Sequence, residues 1–336
     1  MKTKNVALAL ASGGPRGFAF IGAIEELLDR GYTITSVAGA SAGSLIGGIY
    51  AAGGLEPFKE WLFGLDPVKI VSLMDFSVSR NYLVKGEKVI DAIKERVPNV
   101  NIEDLPIPFT AVATDLFTGE EVLFRSGPLF QAIRASISIP SMFRPVKWEG
   151  RTLVDGGMAN TFPLNRVQRT PGDILVGFNV NRIDADGINS FLQSKAAFRE
   201  NDSTIREQAR SLLKDTLRLE KGEFLQKAVE AGEKGTQLIR ERVESEKQER
   251  LLMAESRENR LPVGADNNYI SILQRSFGIM NGTIARMDIE LCPPDVLAEL
   301  PFDSYHGVYG YSHAEEIAER GRALMREALD RYESGE

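Results

Sequence analysis

The chain has 336 residues, 43% of them hydrophobic and 26% charged, the balance of an ordinary globular protein with one large domain or two smaller ones. A formal net charge of -7 excludes nucleic acid as the main partner, because phosphate binding wants a basic surface. The single cysteine, Cys292, excludes an internal disulfide and fits a reducing compartment; with only two histidines beside it, a zinc site of the usual kind is excluded too.

The opening text MKTKNVALALASGG has the outline of a secretory leader. Its apolar run, Val6 to Ala11, is only about six residues against the roughly 7–15 such a segment needs. No apolar stretch approaches the ~20 residues of a membrane-spanning helix, and the chain reads as cytoplasmic. Val6 to Ala11 predicts a short buried strand, ended by Ser12-Gly13-Gly14-Pro15. Phe18 to Arg30 predicts a helix whose apolar face is Phe20, Ile21, Ile24, Leu27 and Leu28, closed by Gly31. A second strand follows at Ser36 to Ala40, then a small-residue helix from Ala42 to Ala52 stopped by Gly53-Gly54. This alternation of strand, loop and helix predicts a parallel sheet covered by helices. Further helices are expected at Gly86 to Val97 and Pro128 to Ala135. Further strands are expected at Phe109 to Asp115, Glu121 to Phe124, Thr152 to Val154 and Ile174 to Asn179.

From about Asp184 to Arg260 the text turns highly charged with sparse apolar residues, as in RVESEKQERLLMAESRENR at 242–260. This predicts an amphipathic helical insertion at 184–260 between a core at 1–183 and its C-terminal part at 261–336. It is either a solvated excursion or a lid that contacts lipid or a partner. Asn268 to Met280 and His313 to Tyr332 predict the last helices, with Ser312 as the cap of the second. Met287 to Leu291 predicts a last strand.

Three short motifs carry chemistry. Ser41 stands between Gly39 and Gly43 in the pattern G-x-S-x-G at a strand-to-helix turn. Such a strained, crowded turn suits an exposed nucleophile, though the pattern alone serves a plain turn serine as well. SGGPRG at 12–17 follows a strand and opens a helix, where free N–H groups and the positive helix end converge. A dinucleotide loop is the rival there, but position 12 is Ser, and the second strand runs into Ser41 where the ribose-binding acid belongs. Finally, Asp155 ends a short apolar strand and is followed by Gly156-Gly157. One such Asp is ordinarily a turn residue.

Taken together, SGGPRG at 12–17, GASAG at 39–43 and DGG at 155–157 resemble, in order and spacing, the patatin-like phospholipase family. RASISIPSMFRPV at 134–146 looks like the segment that precedes the family's catalytic Asp. The resemblance covers about residues 5 to 180. It implies a three-layer α/β/α sandwich with a mainly parallel central sheet, lipid acyl hydrolysis and no cofactor or metal. It makes Ser41 the nucleophile and Asp155 its base. The loop Gly13, Gly14, Arg16 and Gly17, with the Ala42 N–H, becomes the oxyanion hole. Arg16 is expected chiefly to anchor that loop. One departure stands out: Ala11 and Ser12 replace the first of the family's glycines, and Pro15 has no N–H to donate.

The expected partners are a lipid ester, a membrane surface in transient contact, and a second copy of the chain if it oligomerises. Two rivals remain: an α/β-hydrolase with a Ser41-Asp155-His313 triad, and a lipid-binding module whose altered glycine loop leaves it catalytically weak. His306 lies in loop text with no acidic neighbour in sequence.

Overall fold

The computed structural model describes residues 4–73, 82–183, 269–302, 304–305 and 309–335. The expected insertion at 184–260, and His306, lie outside the described residues. The main sheet runs β10-β9-β1-β2-β4-β8-β7, with β5 also paired to β4. Its strands are β1 (Asn5–Leu10), β2 (Thr33–Ala40), β4 (Phe109–Asp115), β5 (Glu121–Phe124), β7 (Val146–Trp148), β8 (Arg151–Asp155), β9 (Ile174–Arg182) and β10 (Val296–Pro301). A separate parallel pair joins β3 (Tyr82–Val84) to β6 (Ser141–Phe143). Strands β10, β9, β1, β2 and β4 are mutually parallel, whereas β5, β7 and β8 bring antiparallel pairings.

The helices are α1 (Ala19–Asp29), α2 (Ala42–Ala51), α3 (Leu55–Phe63), α4 (Pro67–Leu73), α5 (Glu87–Lys94), α6 (Leu129–Ser136), α7 (Tyr269–Leu291) and α8 (Ala314–Ser334). Alternation along β1 shows how they cover the sheet. Val6, Leu8 and Leu10 join the core shared with α1, α2, α6 and α8. Ala7, Ala9 and Ala11 face the other way, toward Phe162, Leu164 and Ala285 of α7. Both faces are buried, so the strands read as continuous apolar runs; all seven residues of β4 are buried. The result is the expected α/β/α arrangement around a mostly parallel sheet. No helix among the described residues is long and apolar enough to cross a membrane.

Two expectations fail. Met287 to Leu291 is the last turn of α7, not a strand, and the last strand is β10. The text MDIEL alternates, but burial follows helical spacing: Ala285 and Ile289 pack on the sheet while Met287 and Leu291 are exposed. Nor does Ser312 cap α8; that position is His313, preceded by a short 3₁₀ turn from Tyr309.

α1 and α8 lie against each other at backbone distance. A Cβ on Gly22 would meet the Ala318 carbonyl oxygen at 1.9 Å, and one on Gly321 would meet that of Ala19 at 1.9 Å. Flanking ion pairs join Arg322 to Glu25 and Asp29, and Arg326 to the buried Glu26. Because backbone cannot step aside cheaply, Gly321→Ala is expected to cost about 2 kcal/mol by overpacking. That lowers the unfolding midpoint by roughly 5 °C in a calorimetric scan; an unchanged midpoint refutes the close approach.

Candidate active site

The pairing of β4 shows what the sheet does for the site. Val112 pairs with Ala40 of β2 and with Leu123 of β5, while Ala113 pairs with Val122 of β5 and with Asp155 of β8. A strand has two edges, and β5 occupies one of them throughout. Therefore β2 and β8 share the other edge and meet head to head, β2 ending opposite Val112 and β8 opposite Ala113. Ser41, next after Ala40, and Asp155 face each other across that join.

Ser41 sits at the turn from β2 into α2 with φ 52 and ψ -119, a strained conformation for a residue with a side chain. The flanking glycines are forced by crowding, because a Cβ on Gly43 would meet the Leu10 carbonyl oxygen at 2.2 Å, and Gly39 packs on Gly43 itself. α2 can start only if β1 and β2 end flush against it. The strained backbone is held by hydrogen bonds: the Ser41 N–H donates to Ser136 Oγ at 2.8 Å, and Ser44 Oγ donates to the Ser41 carbonyl at 2.7 Å.

Asp155 is 6% exposed. Its Oδ1 accepts the Gly157 N–H at 2.8 Å, while Oδ2 is buried without a formed hydrogen bond. Burial pushes the carboxyl up to about 6; the neighbouring Ser41 hydroxyl and the Gly157 N–H pull it part of the way back. The Asp155 carboxyl and the Ser41 hydroxyl are thus neighbours across the join. The Asp155 backbone is fixed as well, its N–H donating to the Ser138 carbonyl at 2.9 Å and its carbonyl accepting Thr114 Oγ1 at 2.9 Å.

The glycine loop closes the site from the β1 side. Gly14 opens a 3₁₀ turn through Phe18, and Ala42 opens α2, so these amides stand at helix starts, where N–H groups have no partner within the helix. Gly17 packs on Ala42, and Gly157 on Ser12, which brings all three motifs into contact. Arg16 is turned away from Ser41. Its Nη1 donates to the Phe302 carbonyl at 2.5 Å, its Nη2 to Asn181 Oδ1 at 3.3 Å, and its guanidinium lies over the Phe302 ring. Asn181 in turn donates to the Ser12 carbonyl at 2.6 Å. Arg16 therefore ties the loop to β9 and to the end of β10, an anchoring role.

Asn181 and Tyr311 belong to this site without any motif to mark them, and Ser136 lies in the segment at 134–146 without a role of its own there. Tyr311 packs edge-on against Phe18 in the 3₁₀ turn before α8. Burial and the negative charge of Asp155 push its phenol up to about 12, with Arg16 opposing. It also lines a pocket of about 230 Å³ with Leu62, Phe63 and Leu65. His313 joins the same pocket but pairs its Nδ1 with Glu316 Oε2 at 3.0 Å.

The raised pKa of Asp155 has a stability consequence. The unfolded chain releases this proton near 3.8 and the folded one only near 6, so stability falls as pH climbs between those values and stays lower above them. The loss amounts to about 3 kcal/mol. Asp155→Asn escapes it, so the variant's unfolding temperature is expected to gain on wild type between pH 4 and 7; a difference that does not change with pH contradicts the buried charge.

The family model of the patatin-like phospholipases matches residues 8–167, a span that contains all three motifs. NTE family proteins of Mycobacterium bovis and Mycobacterium tuberculosis are each 34% identical over 342 residues, covering 98% of this chain and 92% of their own length. A protein named lysophospholipase NTE1, from Mycosarcoma maydis, is 30% identical over 187 residues, which is 54% of this chain and 10% of that protein. A likeness that runs through nearly the whole chain, with a family model laid over its glycine loop, serine turn and aspartate turn, fixes the kinship: the chain belongs to the patatin-like phospholipase family.

Proposed function

We propose that the protein is a lipid acyl hydrolase that cleaves carboxylic esters of phospholipids, lysophospholipids or acylglycerols through Ser41 and Asp155. The observation that carries this reading is the Asp155 carboxylate: buried, held through one oxygen by the Gly157 N–H, and a neighbour of the Ser41 hydroxyl. Family membership and the lysophospholipase name of one relative support the substrate class.

The steps follow from the geometry. Asp155 takes the Ser41 proton as Oγ attacks the ester carbonyl carbon. The negative charge then developing on the carbonyl oxygen is met by backbone N–H groups of the loop at Gly13, Gly14, Arg16 and Gly17 and by that of Ala42. The tetrahedral intermediate collapses, the C–O bond to the alcohol breaks, and the alcohol leaves with the proton from Asp155. Asp155 next accepts a proton from water, whose oxygen attacks the Ser41 ester. The fatty acid departs and Ser41 recovers its hydrogen. A base near 6 serves this cycle at neutral pH better than an ordinary carboxylate, because it is still ionised there yet holds a proton more strongly. The partner of Asp155 in this scheme is Ser41 itself, and the bond from His313 to Glu316 favours two residues over a triad.

Ser41→Ala and Asp155→Asn are each expected to lose roughly a thousandfold or more of kcat/KM on p-nitrophenyl esters, with His313→Ala within about tenfold of wild type. A folded His313→Ala protein as inactive as Ser41→Ala defeats the dyad. The kcat/KM profile should rise with pH through a midpoint near 6, since only ionised Asp155 accepts the proton; a pH-independent rate between 5 and 8 removes Asp155 from the role. Arg16→Lys, which breaks the guanidinium anchor, is expected to lower turnover of neutral esters and phospholipids alike. A loss confined to phospholipids instead assigns Arg16 to the substrate phosphate.

A further inference from the structure

The head-to-head meeting of β2 and β8 leaves a gap in the hydrogen-bond ladder along β4. Backbone groups at such a gap have no strand partner, and buried groups of this kind are costly unless something else bonds them. Three fall at the join: the N–H of Ser41, the carbonyl of Val112 and the N–H of Asp155. All three are met by the end of α6. Ser136 Oγ accepts the Ser41 N–H at 2.8 Å and donates its own hydrogen to the Val112 carbonyl at 2.5 Å. Two residues on, the Ser138 carbonyl accepts the Asp155 N–H at 2.9 Å. Ser136 and Ser138 are both fully buried.

We propose that Ser136 is a positioning residue that sets the approach between Ser41 and Asp155; this rests on the dyad reading above. A hydroxyl suits the place because it is donor and acceptor at once, and the two backbone groups it joins belong to different strands. Its bond to the Ser41 N–H pins the strained turn at φ 52, and so fixes where Oγ stands relative to the Asp155 carboxylate. The same bond occupies the Ser41 N–H, which leaves the oxyanion to the amides of Ala42 and the glycine loop. The neighbouring turn is braced: Arg134 Nη1 donates to Ser138 Oγ at 2.7 Å, and Ser138 Oγ donates to the Arg134 carbonyl at 2.8 Å. Ser136 thus holds one partner, and the turn immediately after it holds the other.

The test compares Ser136→Ala, Ser136→Cys and Ser136→Thr with wild type and Ser41→Ala, on a soluble p-nitrophenyl ester and on a fluorophosphonate that labels reactive serines. If positioning is the role, Ser136→Ala keeps KM within about threefold while kcat falls by tens to a hundredfold, the scale of a small misplacement of reacting groups. Phosphonate labelling slows in step, and the midpoint of the pH profile stays where it is. Ser136→Thr, which retains the hydroxyl, restores more activity than Ser136→Cys, whose sulfur is a weak acceptor. A kcat within twofold of wild type in Ser136→Ala overturns the proposal. So does a Ser136→Ala protein whose KM and thermal midpoint collapse together with kcat, since that describes a general packing role. Should Ser136→Ala not fold, Ser136→Cys is read by the same criteria. Labelling of Ser41→Ala at the wild-type rate would instead sink the dyad reading itself, whatever Ser136 does.

Discussion

One edge of β4 carries the construction. Two strands that run in opposite directions, β2 and β8, stop there within one residue of each other, one ending just before Ser41 and the other on Asp155. Register is the means. A parallel strand and an antiparallel strand cannot share a lane except end to end, and ending them at Val112 and Ala113 brings a serine and an aspartate to one point without any loop reaching across. The glycines of the three motifs follow from this. Where β1, β2 and β8 end together with α2 and the loop after β8, the backbones come so close that side chains have no room.

The electrostatics follow from the same arrangement. Because Asp155 is at the seam and not at the surface, it is desolvated; because its own turn offers a single amide, only one oxygen is bonded. A carboxylate so placed is a stronger base than one in water, and its raised pKa and its unmet oxygen are two aspects of one fact. The glycine loop at the neighbouring strand end is anchored through Arg16 to the carbonyl of Phe302 and to Asn181. Phe302 comes from beyond β10, so the far edge of the sheet braces a loop at its centre.

Much of this was legible in the chain. The run at Val6 to Ala11 is apolar without interruption, and that at Phe109 to Asp115 is mostly so, because helices or packed loops cover both faces of the sheet, and that signal survives in any single sequence. Ser41, Asp155 and their glycines were legible because close backbone contact restricts residue type at short, fixed spacing. The failures have physical reasons too. Met287 to Leu291 alternates like a strand, yet Asp288 bonds the Phe162 N–H from a helix while Ile289 packs inward. β10 hid behind Pro293-Pro294 and ended on a proline of its own. Ser136 stood only inside the segment at 134–146 and Tyr311 in no motif, since a role that consists of meeting a distant strand end has no local pattern to betray it.

The join has a further meaning for the life of the polypeptide. Ser41 and Asp155 are 114 positions apart along the chain, and each reaches the join through its own strand's pairing with β4. On the dyad reading, a ribosome-bound or half-folded molecule in which β8 has not yet joined β4 therefore possesses a serine but no base. Its ester chemistry then waits until both strands lie on β4, and the first of them to fray switches it off again. On that reading a nascent chain is harmless to surrounding ester lipids until the pairing is made.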